Sequence, residues 1–404
     1  MLIPFIFKSP TANPPNPPAD NTQLVPEATA GLNQEYEPLL RREMPELDTI
    51  RGLAILMVLL YHGLFWKTNL AQFHGSEKFF LATMSFGRFG VNLFFVLSGF
   101  LITGILLNSR GRSKYFRHFY IRRILRIVPA YLVILAVLAA IRYAPPAVLF
   151  MNLFYLSNLN PLFGIPLGYP VLWSLAVEEH FYAFWPAVVR YLRVKSLMIC
   201  CVAVIVLSPL FRLANYLFLT AQHTRVRYVF NDYTWNSLDG LACGALLSLI
   251  LHECKIQRNT LRIFSLLLTG LAILILFAGL PFGIFTRQTP VGVALQVMPI
   301  HLTCTGLLGL FLLLGTGPHR AIVRSQILRF LGGISYGLYL IHLLIFELCD
   351  RAIPHFWKDA AVTSSFQLLI LRLLAAGGVS IGIAFLSRKY FEEKFLRLKD
   401  RLSG

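Results

Sequence analysis

Residues Leu47–Gly63 read LDTIRGLAILMVLLYHG. The run is apolar, yet Asp48 and Arg51 stand at its entrance and His62 lies near its far end. Comparable apolar stretches recur along the chain, each of about 20 residues, the length a helix needs to cross a bilayer. Of the 404 residues 56% are hydrophobic and only 14% charged, against about 25% charged in soluble domains. The mean hydropathy is +0.64. The runs are too long for strands and show no sustained alternation, so they predict helices rather than a barrel. The expected fold is all-α: a polytopic integral membrane protein of about ten transmembrane helices. They are read at 48–66, 87–107, 127–143, 172–190, 197–218, 236–252, 263–281, 291–314, 328–349 and 365–387.

The net charge of +18 raises nucleic acid as a partner. Its distribution argues against one. With the N-terminus in the cytoplasm, most of the 37 Lys and Arg residues fall in cytoplasmic segments, as the positive-inside rule requires. Both termini are therefore expected in the cytoplasm, in a multi-pass protein of the cell membrane that contacts lipid and no nucleic acid. Residues 1–45 include SPTANPPNPPADNTQ and read as a disordered cytoplasmic tail. The opening MLIPFIF is too short for the apolar core of a signal peptide and has no basic residue before it. Residues 46–390 form the transmembrane domain. Residues 391–404 read as a basic amphipathic tail along the inner membrane surface. The segment 144–170, broken by prolines and glycines, reads as an outer loop that dips back toward the membrane. The six cysteines form no C-x-x-C pair, and neither disulfides nor a metal site are expected.

Arg51 and His62 are eleven residues apart, about three helical turns, which puts both on one stripe with Asp48, Ile55 and Val58. His62 then stands about 16 Å above the cytoplasmic mouth. A histidine at that depth suits proton transfer, and it also suits hydrogen-bonded packing. Arg212 and His223 repeat the spacing with the histidine in an outer loop, which reads as coincidence. The loop RGRSKYFRHFYIRRILRIVP is basic without an acidic residue. In it RRILR places Arg122, Arg123 and Arg126 at a helix mouth, where guanidinium forks suit phosphates; topology and anionic-lipid contact explain such clusters equally well. The second span carries Asn92 and Ser98, with Gly87, Gly90 and Gly99 permitting close helix approach. The fourth, LWSLAVEEHFYAFWP, carries Glu178, Glu179 and Tyr182. Two glutamates inside a span need partners, and Arg88 is one candidate. The ninth carries Ser335, Tyr339 and His342 on one polar stripe, with interhelical hydrogen bonding the reading for Ser335. Asp239 lies at the outer mouth of the sixth span.

Taken in order, LDTIRGLAILMVLLYH, GVNLFFVLSGFLI, YFRHFYIRRILRIVPAY, LWSLAVEEHFY and GISYGLYLIH resemble the membrane acyltransferase-3 family. Members of that family O-acylate bacterial surface glycans, and others modify antibiotics and nodulation factors. The resemblance runs from about Leu47 to about Glu393. The family's basic residue, ten positions and a histidine fall on Arg51 and His62, and its R-x-x-R falls on Arg123 and Arg126. It implies catalysis by His62 with Arg51, and acyl-CoA binding by Arg122, Arg123 and Arg126. Asp48, Asn92, Ser98, Glu178, Glu179, Tyr182, Tyr339 and His342 would line the site. His180 stands where the family shows glutamine and receives no catalytic role. The donor implied is acyl-CoA, acetyl-CoA foremost, with no bound cofactor and no metal. The acceptor implied is a hydroxyl of a glycan or lipid-linked sugar. His62 would serve as general base or as transient acyl carrier. Some members carry an extracytoplasmic hydrolase-like domain after the membrane region. None is read here, so the acyl group is expected to leave directly or through a separate periplasmic acyl-handling protein. The competing reading is a transporter of an acylated or sugar-linked small molecule, which would also place polar residues inside spans. A lipid-linked sugar transferase would instead present acidic metal-binding residues on cytoplasmic loops, and these loops are basic.

Overall fold

A computed structural model describes residues 38–41, 43–221, 233–254, 256–284, 289–356 and 365–402; His223 lies outside them. Every regular element among the described residues is helical. In chain order they are α1 (Pro45–Leu60), which runs on into a π turn (Tyr61–Phe65), α2 (Gly75–Met84), α3 (Gly90–Ser109), α4 (Tyr115–Ala140), α5 (Pro146–Leu153), α6 (Leu172–Tyr191), α7 (Val194–Ala221) and α8 (Thr234–Glu253). They continue as α9 (Arg258–Gly279), α10 (Pro290–Leu295), α11 (Met298–Gly315), α12 (Gln326–Phe356) and α13 (Phe366–Ser387), which passes through a second π turn (Arg388–Glu392) into α14 (Glu393–Leu402).

Nine helical segments among the described residues are long and apolar enough to cross a membrane. The span expected at 172–190 forms as α6 but is not one of them, because Glu178, Glu179 and His180 interrupt its apolar surface. It lies inside the bundle instead. Ser174 near its start meets Tyr339 of α12, and the carbonyl of Leu192 just past its end accepts from Arg110 after α3.

The centre is built from two helix pairs in backbone contact. A Cβ on Gly52 of α1 would lie 1.8 Å from the Leu328 carbonyl oxygen of α12, and one on Gly332 would lie 2.1 Å from that of Asp48. Gly99 of α3 and Gly244 of α8 face the Leu241 and Val96 carbonyl oxygens at 1.9 and 1.8 Å in the same way. Glycine is required at such crossings because helix association in lipid relies on close packing rather than on the hydrophobic effect. The helices also divide into inner and outer sets. In the apolar window of α8, 72% of residues are buried, against 17% in that of α9. Leu267, Leu274 and Phe277 of α9 point outward, where lipid tails would meet them.

Two further regions have structure that hydropathy does not announce. The 144–170 segment is an ordered cap: α5 packs on α4, Asn152 and Asn158 are buried, Tyr131 donates to the Asn152 carbonyl at 2.7 Å, and Asn158 Nδ2 donates to Thr234 Oγ1 at 2.8 Å. Several of its backbone polar groups are met by protein. At the other end, α13 does not stop before the tail. It continues as α14, which packs against α4 and buries Glu392 against Gly337 of α12.

Hydrogen bonds define the two ends of the bundle. Arg41 bonds the Gly315 carbonyl, which Arg324 also reaches, and Asn108 Nδ2 lies 3.2 Å from His252 Nε2. The start of α1, the ends of α3, α8 and α11 and the start of α12 therefore share one end with Arg122–Arg126. The π turn after α1, the 144–170 cap and Glu347–Arg351 share the other.

Candidate active site

His62 sits in the first π turn. Its Nδ1 lies 3.0 Å from the Val58 carbonyl oxygen and 3.2 Å from His342 Nε2 of α12. His342 Nδ1 faces the carbonyl oxygens of Leu338 and Tyr339 at 3.1 and 2.8 Å. These contacts decide both tautomers. Facing two carbonyls, His342 Nδ1 must carry the proton, so its Nε2 is an acceptor. His62 Nδ1 then donates to it and to Val58, and the His62 Nε2 lone pair is left for chemistry. Tyr61 and Trp66 pack against the His62 ring at centroid distances of 5.0 and 5.6 Å, and His62 itself is half-buried.

The π turn is braced from α13. Buried Arg372 donates through Nη1 to the carbonyl oxygens of His62, at 3.1 Å, and Gly63, at 2.6 Å. Its Nε and Nη2 donate to the two carboxylate oxygens of Asp350, the second at 2.9 Å. An i→i+5 turn releases carbonyls from the regular ladder, and Arg372 takes up two of them. Such turns are common at functional sites.

Arg51 does not reach His62. It pairs with Asp48 at 2.7 Å, at the opposite end of α1, about 16 Å away by helical rise. There it joins a second group. Arg126, half-buried on α4, senses the charges of Arg51, Arg123 and Arg388 and the phenol of Tyr182. Arg388, contributed by the second π turn, leans on Glu392 at 3.5 Å. Arg123 lies 3.6 Å over the Tyr182 ring, Tyr182 donates to Glu178 Oε2 at 2.7 Å, and Ser98 donates to Glu178 Oε1 at 3.3 Å. Arg123 is a cation beside both Glu178 and Glu179, and Arg126 also acts on Glu178; Arg88 lies over the Phe89 ring. A 140 Å³ crevice between α4 and α6 opens beside Arg123, Glu179 and Tyr182. Four guanidiniums converging inside a membrane protein, two of them paired with Asp48 and Glu392, make a positive field that attracts anions. Arg122 is half-buried one position before Arg123.

The remaining predicted residues, Asn92 apart, are divided between the two ends. Tyr339 Oη meets Ser174 Oγ at 2.6 Å and donates to the Val171 carbonyl, and its ring lies 5.8 Å from that of His342. Ser335 bonds the Gly332 carbonyl of its own helix rather than a neighbour. His180 Nδ1 lies 2.6 Å from Thr234 Oγ1. Asn92 belongs to neither end. It lies 2.7 Å from His301 Nε2 of α11, in a buried network where Asp239 Oδ2 is 3.2 Å from His301 Nδ1 and 3.0 Å from Arg212 Nη1. That network ties α3, α7, α8 and α11 together and explains how Asp239 is tolerated.

Sequence reasoning passed over His301, Arg372, Asp350 and Arg388. The signal for Arg372 and His301 was available: an ionisable residue within a span is costly and marks a partner. Among the described residues no group of three or more His, Cys, Asp or Glu side chains could hold a metal ion.

A family model described as an acyltransferase domain matches residues 44–389. The chain belongs to the acyltransferase-3 family. A relative named peptidoglycan O-acetyltransferase OatA, from Listeria monocytogenes, is 28% identical over 87% of this chain and 59% of its own length. A protein of Bacillus subtilis named putative peptidoglycan O-acetyltransferase YrhL is 35% identical over 40% of this chain and 28% of its own. The Staphylococcus aureus protein named O-acetyltransferase OatA is 30% identical over 40% and 26%. The chain thus spans between a quarter and three-fifths of the length of these relatives. No solved structure matches it.

Proposed function

We propose that this chain is the membrane part of an O-acyltransferase. It takes an acyl group, acetyl foremost, from acyl-CoA at the arginine end of the bundle, which faces the cytoplasm, and passes it to a hydroxyl of an envelope glycan on the far side. The His62–His342 pair carries the reading. All ring hydrogen bonds of His62 among the described residues use Nδ1, so Nε2 is the base. As the acceptor oxygen attacks the thioester carbonyl, its proton passes to Nε2. The C–S bond then breaks, and the proton moves on to the departing thiolate. Such a base contributes about 10²–10⁴-fold in rate.

The donor reading rests on the second group. Arg51, Arg123, Arg126 and Arg388 suit the phosphates of CoA, and the rise of about 16 Å along α1 is one that a pantetheine arm can span. The relatives' names favour peptidoglycan as the acceptor. Where the final hydroxyl lies beyond reach of the membrane, a separate acyl-handling protein would take the group.

The test is made on purified protein in nanodiscs. Arg123→Ala with Arg126→Ala should weaken acyl-CoA binding at least about tenfold, since charge-assisted contacts contribute about 1.5–3 kcal/mol each. Insertion should be normal. Unchanged affinity in a folded double variant would remove the phosphate role. Mass spectrometry of envelope glycans with and without the gene should show a lost acetyl group; an unchanged envelope together with no CoA release would overturn the activity.

A further inference from the structure

At the end of the bundle opposite the arginines lies a cavity of about 520 Å³, within the range of small-molecule sites. Its polar lining is Lys67, Tyr143, Glu347, Asp350 and Arg351, set among Pro145, Pro166 and Gly168. Tyr143 donates to Glu347 Oε2 at 2.7 Å. Burial first, and then that bond, push the Tyr143 phenol up from its ordinary range, so it remains a donor at neutral pH. Lys67 Nζ stands 3.6 Å from Glu347 Oε1 and 3.8 Å from Asp350 Oδ2. Those separations are beyond a hydrogen bond and leave the carboxylate oxygens with acceptor capacity.

The lining is chemically selective. With Arg372 behind Asp350, three cations stand against two carboxylates, a field close enough to balance that neither a polyanion nor a polycation gains much from it. The wall offers too many charged groups for an acyl chain. Closely set carboxylates, a phenol and an ammonium instead match the adjacent donors and acceptors of a polyol. The position is equally specific. Lys67 is five residues beyond His62, and Glu347 five beyond His342, about 7.5 Å of helical rise in a regular helix. Asp350, on the cavity wall, holds Arg372, which holds the carbonyls of the turn that carries His62.

We infer that this cavity is the saccharide acceptor subsite, in which Glu347, Asp350, Tyr143 and Lys67 hold sugar hydroxyls and present one of them to His62. The inference rests on the acyl-transfer reading for its consequence, but not for its test. The probe is N,N′,N″-triacetylchitotriose, added to the full chain in nanodiscs and followed by saturation-transfer NMR and calorimetry. Saturable binding is expected. Glu347→Gln should weaken it about tenfold, the loss of one charge-assisted hydrogen bond, and Tyr143→Phe by less. Ala144→Trp, which fills the cavity and leaves every polar lining residue unsubstituted, should abolish it. Acyl-CoA affinity should be the same in all three, which also reports that they are folded. No binding by the unaltered protein, or equal binding by folded Glu347→Gln and Ala144→Trp variants, overturns the subsite. Saccharide binding without any acyl-CoA turnover would instead overturn the acyl-transfer reading and keep the subsite.

Discussion

Replacing His342 separates the tautomer argument from a simpler one in which His62 acts alone. In His342→Phe the ring is kept and the acceptor for His62 Nδ1–H is lost. The Val58 carbonyl at 3.0 Å still receives that proton, so the tautomer is weakened rather than reversed. One neutral hydrogen bond contributes about 0.5–1.5 kcal/mol net, which sets the loss in kcat at about three- to tenfold. His342→Gln can place an amide oxygen near the lost Nε2 and should recover much of it. His62→Ala removes the base itself and should lower the rate by about 10²–10⁴-fold. All three would be measured in one acyl-transfer assay, with acyl-CoA affinity and detergent stability as controls for folding. A folded His342→Phe variant as inactive as His62→Ala would show that His342 does chemistry of its own. Full activity in that variant would show that the pair does not set the tautomer.

Arg372→Gln should destabilise the protein by about 1–3 kcal/mol, because it releases the His62 and Gly63 carbonyls and leaves Asp350 with the looser Lys67 contact; adding Asp350→Asn should restore part of the detergent stability, and no recovery would place the cost in the turn alone. Gly52→Val should prevent correct assembly, since its Cβ would lie 1.8 Å from the Leu328 carbonyl oxygen, and a monodisperse variant of normal stability would contradict the crossing. Single cysteines near residues 70 and 160 should label from outside the cell while one near 115 does not; outside labelling at 115 would put the arginine group on the wrong side for a cytoplasmic donor.

Most of the helices were legible because a bilayer demands long apolar runs, and a long run is the strongest signal a sequence carries. The fourth expected span shows the limit of that signal. Glu178 and Glu179 are tolerated because α6 turns them toward Ser98, Tyr182 and Arg123, and hydropathy alone cannot distinguish an inner helix from a lipid-facing one. His62 was legible as a residue but not as a pair. Spacing tells which stripe it occupies, not that His342, on a helix 280 positions away, meets it there. The π turns at Tyr61–Phe65 and Arg388–Glu392 leave no mark in sequence. At the first, the turn is held by a distant partner, Arg372, so it is a tertiary effect expressed locally. Arg388 was passed over for the related reason that nothing in RKYFEE announces a helix running on into contact with α4.

The packing also bears on the choice between acyl transfer and transport. Alternating access requires one group of helices to rock against another around a central site. Here α1 and α12, and likewise α3 and α8, touch backbone to backbone through Gly52, Gly332, Gly99 and Gly244. Gly90 lies against the Ala54 carbonyl oxygen, so α3 is seated on α1 as well. A core joined at three such crossings has little freedom to open a passage for a sugar. Acyl transfer needs none. The nucleotide can stay at the arginines and the glycan at the far cavity. Only a slender thioester arm has to enter the bundle, as far as the one nitrogen of His62 that its neighbours leave available.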